Sequence, residues 1–95
     1  MIKSFGNDET ELIFKGETST KLPNDIQRTA LRKLLIIDAA SSLKDLKNPP
    51  ANRLEILKGD LRGYYSIRIN DQWRIIFLWD NATFESSNVE IVDYH

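Results

Sequence analysis

Gly63-Tyr64-Tyr65-Ser66-Ile67-Arg68-Ile69-Asn70-Asp71-Gln72-Trp73-Arg74-Ile75-Ile76-Phe77-Leu78-Trp79 is the stretch that decides the fold class. Before Asn70 the period is two. Tyr65, Ile67 and Ile69 alternate with Tyr64, Ser66 and Arg68, the pattern of a strand with one buried face. Asn70-Asp71 is a turn signal, because short polar side chains bond the backbone just ahead of them. Beyond it, Gln72 to Trp79 puts Trp73, Ile75, Phe77 and Trp79 on one face, while Ile76 and Leu78 make the other face apolar too. A strand apolar on both sides belongs in the middle of a sheet, with a helix over at least one face.

The flanking sequence supplies the rest of the sheet and the helices. Leu54 to Leu57 reads as a short strand, with turns at Lys58-Gly59-Asp60 and at Gly63. After a polar connection from Asp80 to Ser87, Asn88 to Val92 reads as the last strand and leads into Asp93-Tyr94-His95. Upstream, Asn24 to Ala40 is the clearest helix: Ile26, Ala30, Leu34 and Ile37 form a stripe, Leu31 and Leu35 widen it, and Arg28, Arg32 and Lys33 fall largely away from it. Asn24 is the expected cap, with Gln27 at the matching third position and Pro23 just outside. Asp8, with Glu11 three residues on, reads as the N-cap of a first helix that carries Leu12, Ile13 and Phe14 and stops at Gly16. Glu17 to Leu22 reads as a loop. Ser42 to Leu46 adds a short helical turn before Asn48-Pro49-Pro50 ends it. Ile2 to Phe5 is a candidate edge strand. Helices followed by a run of strands predict one α+β domain over residues 1–95, its N-terminal helices packed on one face of a mainly antiparallel twisted sheet.

Composition narrows the chemistry. A length of 95 residues, 41% hydrophobic and 28% charged, suits one globular domain with a modest core. No apolar run is long enough to span a bilayer, and the first residues lack the apolar region of a signal peptide. With no cysteine there is no disulfide framework and no thiolate chemistry, so the expected compartment is the cytoplasm. The single histidine is His95, and no glycine-rich phosphate loop or serine nucleophile motif occurs. A zinc site would need several carboxylates, so neither a metal nor another cofactor is expected.

The formal charge is −1, but it is unevenly spread. Between Arg53 and Arg74, Arg53, Lys58, Arg62, Arg68 and Arg74 outnumber Glu55, Asp60 and Asp71, an excess that can make a phosphate-binding face. Arginine, lysine, tyrosine, carboxylate and one histidine are enough for metal-free RNA cleavage. The 2′-OH attacks the adjacent phosphate, a base takes its proton, an acid protonates the 5′-oxygen, and cations hold the phosphorane charge. The same residues also have ordinary readings: Arg68 and Arg74 as solvated or salt-bridged to Asp71 or Asp93, Tyr64 and Tyr65 as amphipathic sheet residues, His95 as a chain end.

Several segments together resemble a HigB-type toxin of the RelE superfamily. They are Met1-Ile2-Lys3-Ser4-Phe5, Asn52-Arg53-Leu54-Glu55, Leu57-Lys58-Gly59-Asp60, Gly63 to Asn70, Gln72-Trp73-Arg74-Ile75 and Val92-Asp93-Tyr94-His95. The resemblance runs over the whole chain in order. It implies a small RelE-like domain acting as a ribosome-dependent mRNA interferase. Its expected partners are the ribosome, mRNA and a HigA-type antitoxin with a helix-turn-helix domain, through which alone it would reach operator DNA. On that reading Arg74 stabilises the phosphorane and Lys58, Arg62 and Arg68 grip phosphates, with Arg53 and Tyr64 also at the RNA. Asp93 and His95 form the proton-transfer pair, and Tyr94 positions or stacks on a base. Where better-known members carry a second histidine, this chain has Glu55, a carboxylate that can serve as base but repels phosphate. Two alternatives stay open: a gyrase-directed toxin of the ParE branch on the same fold, and a module that mainly binds the antitoxin and tunes operator binding.

Overall fold

The doubly apolar stretch is the inner strand β3 (Trp73–Asp80) of a four-stranded sheet in a computed structural model that describes residues 1–94. Its neighbours are β2 (Tyr64–Arg68) and β4 (Glu85–Asp93), and the two-residue β1 (Glu55–Ile56) pairs outside β2. All three pairings are antiparallel and follow chain order. Ile2 and Phe5 make isolated parallel bridges to Ser86 and Val89, so the N-terminal segment covers the β4 edge without forming a full strand. His95, a candidate site residue, lies outside the described residues.

Helices α1 (Asp8–Phe14) and α2 (Asn24–Ala39) pack on one side of the sheet, as the alternation requires. Ile26, Ala30, Leu34 and Ile37 of α2 meet Ile67, Ile75, Phe77, Val89 and Ile91 in the core. Each such aliphatic burial contributes roughly 1.5–3 kcal/mol. Two helix starts differ from expectation. Asn7, not Asp8, caps α1: its Oδ1 accepts from the Thr10 amide at 2.9 Å and from Thr10 Oγ1 at 2.7 Å. In α2 the cap position is Pro23, without a side-chain bond, and Asn24 is already helical. Gln27 instead ties down the preceding loop, bonding the Ser19 backbone on both sides and donating to the Leu22 carbonyl.

Two α2 side chains also reverse their expected faces. Lys33 is buried and Leu35 is 50% exposed. At roughly 100° per residue, position 33 lies almost directly over Ile26, two turns on, while position 35 falls on the opposite side. Geometry overrides polarity at both.

The strand bounds shift for a related reason. β4 starts at Glu85, inside the expected polar connection, because Glu85, Ser86 and Ser87 pair with Asp80, Trp79 and Leu78. Backbone pairing needs no apolar side chain, and Ser86 is buried against the N-terminal segment. The register slips between Ile76 and Leu78, where Asn88 adopts a positive φ of 50°. That is a bulge, and asparagine tolerates its left-handed conformation.

Candidate functional site

Cross-strand partners share a face of the sheet. The register therefore places Glu55, Ser66, Ile76 and Glu90 in one row on the face away from the helices, with Arg68, Arg74 and Val92 in the next. Tyr64 and Leu78 continue the same surface. Four of the ten sequence-predicted site residues, Glu55, Tyr64, Arg68 and Arg74, converge here, because strand alternation sends their side chains to the side the helices leave open.

Arg74 is the centre of the arrangement. Its position on an inner strand buries it to 8% exposure rather than leaving it solvated, and it forms an ion pair with Glu55. Nε donates to Ser66 Oγ at 2.9 Å, one terminal nitrogen donates to the Arg53 carbonyl at 2.6 Å, and the other lies 3.2 Å from a Glu55 carboxylate oxygen. A guanidinium has five N–H donors, so among the described residues these three contacts leave two uncommitted. The Tyr94 ring stacks over it, 5.9 Å from the guanidinium carbon to the ring centroid, within cation–π range. The result is a fixed, partly desolvated cation with a carboxylate beside it and an aromatic lid.

The chain end is held by the β2–β3 turn. Tyr94 donates its backbone N–H to the Gln72 carbonyl at 2.7 Å, and Gln72 Nε2 donates to Asp93 Oδ2 at 3.0 Å. Asp93 pairs across the sheet with Trp73, so it stands at the sheet's end on the helix side, whereas Tyr94 turns toward Arg74. Arg68 is bound to Asp71 within its own hairpin. Lys58 and Arg62 are exposed and flank the one-turn 3-10 segment Gly59–Leu61, at the rim rather than the centre. Tyr64 is half-buried, its hydroxyl 3.5 Å from Asn88 Nδ2.

Two contributions escaped the sequence reading. Ser66 sits in the diagnostic stretch and alternates with the site residues, but a serine without a histidine carries no nucleophile signal. Its role is to accept from Arg74. Arg53 was expected to act through its charge, yet it meets Arg74 through its carbonyl, on a left-handed backbone with φ 47° and ψ 58°. Among the described residues, no group of three His, Cys, Asp or Glu side chains is placed to hold a metal ion.

Comparisons with known proteins identify the family and the fold. Residues 3–95 match the family described as the RelE-like toxin of the type II toxin–antitoxin system HigB. Endoribonuclease HigB of Proteus vulgaris is 41% identical over 96 residues, covering 100% of both chains. Toxin HigB-1 of Vibrio cholerae is 50% identical over 58 residues, which make up 61% of each chain, so the match spans less than two thirds of that relative. Among solved structures, a chain of the YoeB–YefM toxin–antitoxin heterotetramer from Staphylococcus aureus superposes with a TM-score of 0.60 at 20% identity, covering 100% of this chain and 98% of that one. At that identity the structural likeness concerns the fold alone.

Proposed function

The chain belongs to the RelE-like HigB toxins of type II toxin–antitoxin systems, and from that premise we propose that it is an endoribonuclease whose reaction runs on the open face of the sheet, around Arg74. The observation that carries the reading is the Arg74–Glu55 pair itself: a buried guanidinium with two donors to spare among the described residues, 3.2 Å from a half-exposed carboxylate.

In this mechanism the 2′-OH of the nucleotide attacks the adjacent phosphorus. Glu55 takes the hydroxyl proton, and the two uncommitted Arg74 N–H groups hold the phosphorane oxygens. A guanidinium already fixed by Ser66 and the Arg53 carbonyl needs little reorganisation as charge develops. His95 protonates the departing 5′-oxygen, with Asp93 at the sheet's end as its proton-transfer partner rather than a group on the open face, and Tyr94 stacks on a base. Arg68, Arg53, Lys58 and Arg62 contact flanking phosphates, with Tyr64 beside them. No step requires a metal.

We further assign the substrate as mRNA on the ribosome and the partner as a HigA-type antitoxin, in the cytoplasm. With 13 Lys and Arg balanced by 14 Asp and Glu, the chain has no net positive charge to draw in free RNA, which fits RNA presented by a ribosome. The test is induction of the chain with and without a candidate antitoxin, mapping mRNA ends for wild type, Arg74→Ala and a chain lacking residues 93–95. Cleavage on translating ribosomes that vanishes in both variants and is suppressed by the antitoxin is the expected result. Growth arrest with intact mRNA would refute the assignment and point to a gyrase-directed toxin.

A further inference from the structure

We propose that Lys33 and Asn52 are positioning residues for Arg74, acting on it through the carbonyl of Arg53; the proposal rests on the nuclease reading of that arginine. Its starting point is a backbone that needs holding. Arg53 is left-handed, a conformation disfavoured for any residue with a Cβ, and in that conformation its carbonyl accepts from Arg74 at 2.6 Å.

The hold comes from the residue before it. Asn52 is fully buried, and its Nδ2 donates to the carbonyls of Leu46 and Asn48, each at 3.2 Å. Its backbone N–H donates to Pro49, and that of Arg53 donates to Pro50. The remaining polar atom of the side chain, Oδ1, accepts from the Lys33 ammonium. Asn52 is thereby tied at both ends of its amide, and the peptide that follows it has one orientation.

Lys33 is an expensive way to supply that bond. It stands in the apolar stripe of α2, among residues that fill the core. Its burial, reinforced by the nearby charges of Arg32 and Arg68, pushes its pKa below the ordinary lysine value. Packing alone would be served by methionine. What the ammonium adds is a rigid link from α2 to Asn52, thence to the Arg53 carbonyl and the Arg74 guanidinium. Glu55, two residues further on, is carried by the same segment.

The test uses full-length Lys33→Met, which keeps the stem and removes the donor, and Lys33→Gln as a milder second variant whose amide is one atom shorter. Two readouts are taken: cleavage kinetics, and hydrogen exchange at the Arg74 Nε–H by NMR, which reports its bond to Ser66 directly. Loosening the site should lower kcat by roughly 10–100-fold, since a small misplacement of a catalytic group costs about that much. The RNA concentration at half-saturation should stay within about twofold, as expected when a transition-state contact is lost. Exchange at Arg74 should quicken by about tenfold or more as local protection is lost. Adding Lys33→Met to Arg74→Ala should cost nothing further. A folded variant with wild-type kcat, or with unchanged Arg74 exchange, would overturn the proposal. Unfolding of both variants would overturn it equally, since a positioning residue must be removable without loss of the fold. If wild type itself cleaves no RNA, the nuclease reading fails, and the exchange measurement alone then judges the link from Lys33 to Arg74.

Discussion

Replacing Glu55 by glutamine separates its possible roles, because they push binding and chemistry in opposite directions. The fold should survive. The Glu55 side chain is 51% exposed, so its pairing with Arg74 is screened and contributes about 0–1 kcal/mol. Arg74 also keeps its bonds to Ser66 and the Arg53 carbonyl. Substrate binding should improve slightly. A phosphate sharing the guanidinium with Glu55 would stand about 5 Å from the carboxylate, where water-like screening gives roughly 1 kcal/mol of repulsion, about fivefold in affinity. Turnover should fall, because glutamine cannot accept the 2′-OH proton, and loss of a positioned base costs about 10²–10⁴-fold. Single-turnover cleavage of mRNA on ribosomes, across a range of ribosome concentrations, reads both numbers at once. The expected variant binds better and cleaves at least about a hundredfold more slowly. A Glu55→Gln chain that cleaves at the wild-type rate would refute the assignment of Glu55 as base. It would leave the carboxylate only the role of partner to Arg74.

Arg74→Lys keeps the charge but cannot reproduce the fork, leaving Ser66 Oγ and the Arg53 carbonyl under-bonded. It should destabilise the protein by about 2–4 kcal/mol in urea and lower cleavage by about 10² or more. Lys58→Ala together with Arg62→Ala touches only exposed rim positions, so it should leave stability unchanged. The salt dependence of RNA binding should flatten by roughly 0.7 in slope per cation removed. Lys33 has a pKa below its ordinary value of 10.5 when folded, so the unfolded chain binds more protons between the folded value and 10.5. Wild-type stability should therefore rise relative to Lys33→Met as pH climbs through that window, the burial penalty being complete below it and absent above. A difference that ignores pH in urea titrations would show that Lys33 is not desolvated. Leu34→Ala, at a fully buried position facing the sheet, should cost about 2–5 kcal/mol by the same measurement.

The stretch from Gly63 to Trp79 contains the sheet in legible form, because alternation and a run apolar on both faces have few other solutions. The same alternation brings Tyr64, Arg68 and Arg74 to one face before any coordinates are known. What it does not reveal is how a residue on that face is covered. Arg74 reads as a solvated arginine, yet β1 and the chain end close over it, and those contacts depend on the path of residues 48–54 and on Tyr94. Lys33 was misread because its polarity was allowed to outvote its angular position, two turns on from Ile26. The β4 start was misread because three polar residues can pair as well as three apolar ones when the register is set elsewhere. Asp93 shows the same limit at the site. The resemblance groups it with Tyr94 and His95, but it pairs with Trp73 on the helix side, while Tyr94, just past β4, turns toward Arg74.

The paired charges explain how so nearly neutral a balance can coexist with the proposed phosphate site. Across the sheet Arg68 stands directly opposite Arg74, a like-charge neighbourhood that alone would be destabilising. Each of the two is offset by its own carboxylate, Asp71 for Arg68 and Glu55 for Arg74. The inner row can then fold and partly bury without RNA, at the cost that phosphate must compete with both acids. The exposed cations of the rim, Lys58 and Arg62, have no ion pair among the described residues. On the proposed nuclease reading, RNA capture would begin at the rim, with exchange at Arg74 second. That order would let the acids tune affinity without disturbing the geometry around Arg74. It predicts that neutralising Asp71 would strengthen RNA binding without changing the cleavage step, whereas neutralising Glu55 would change both.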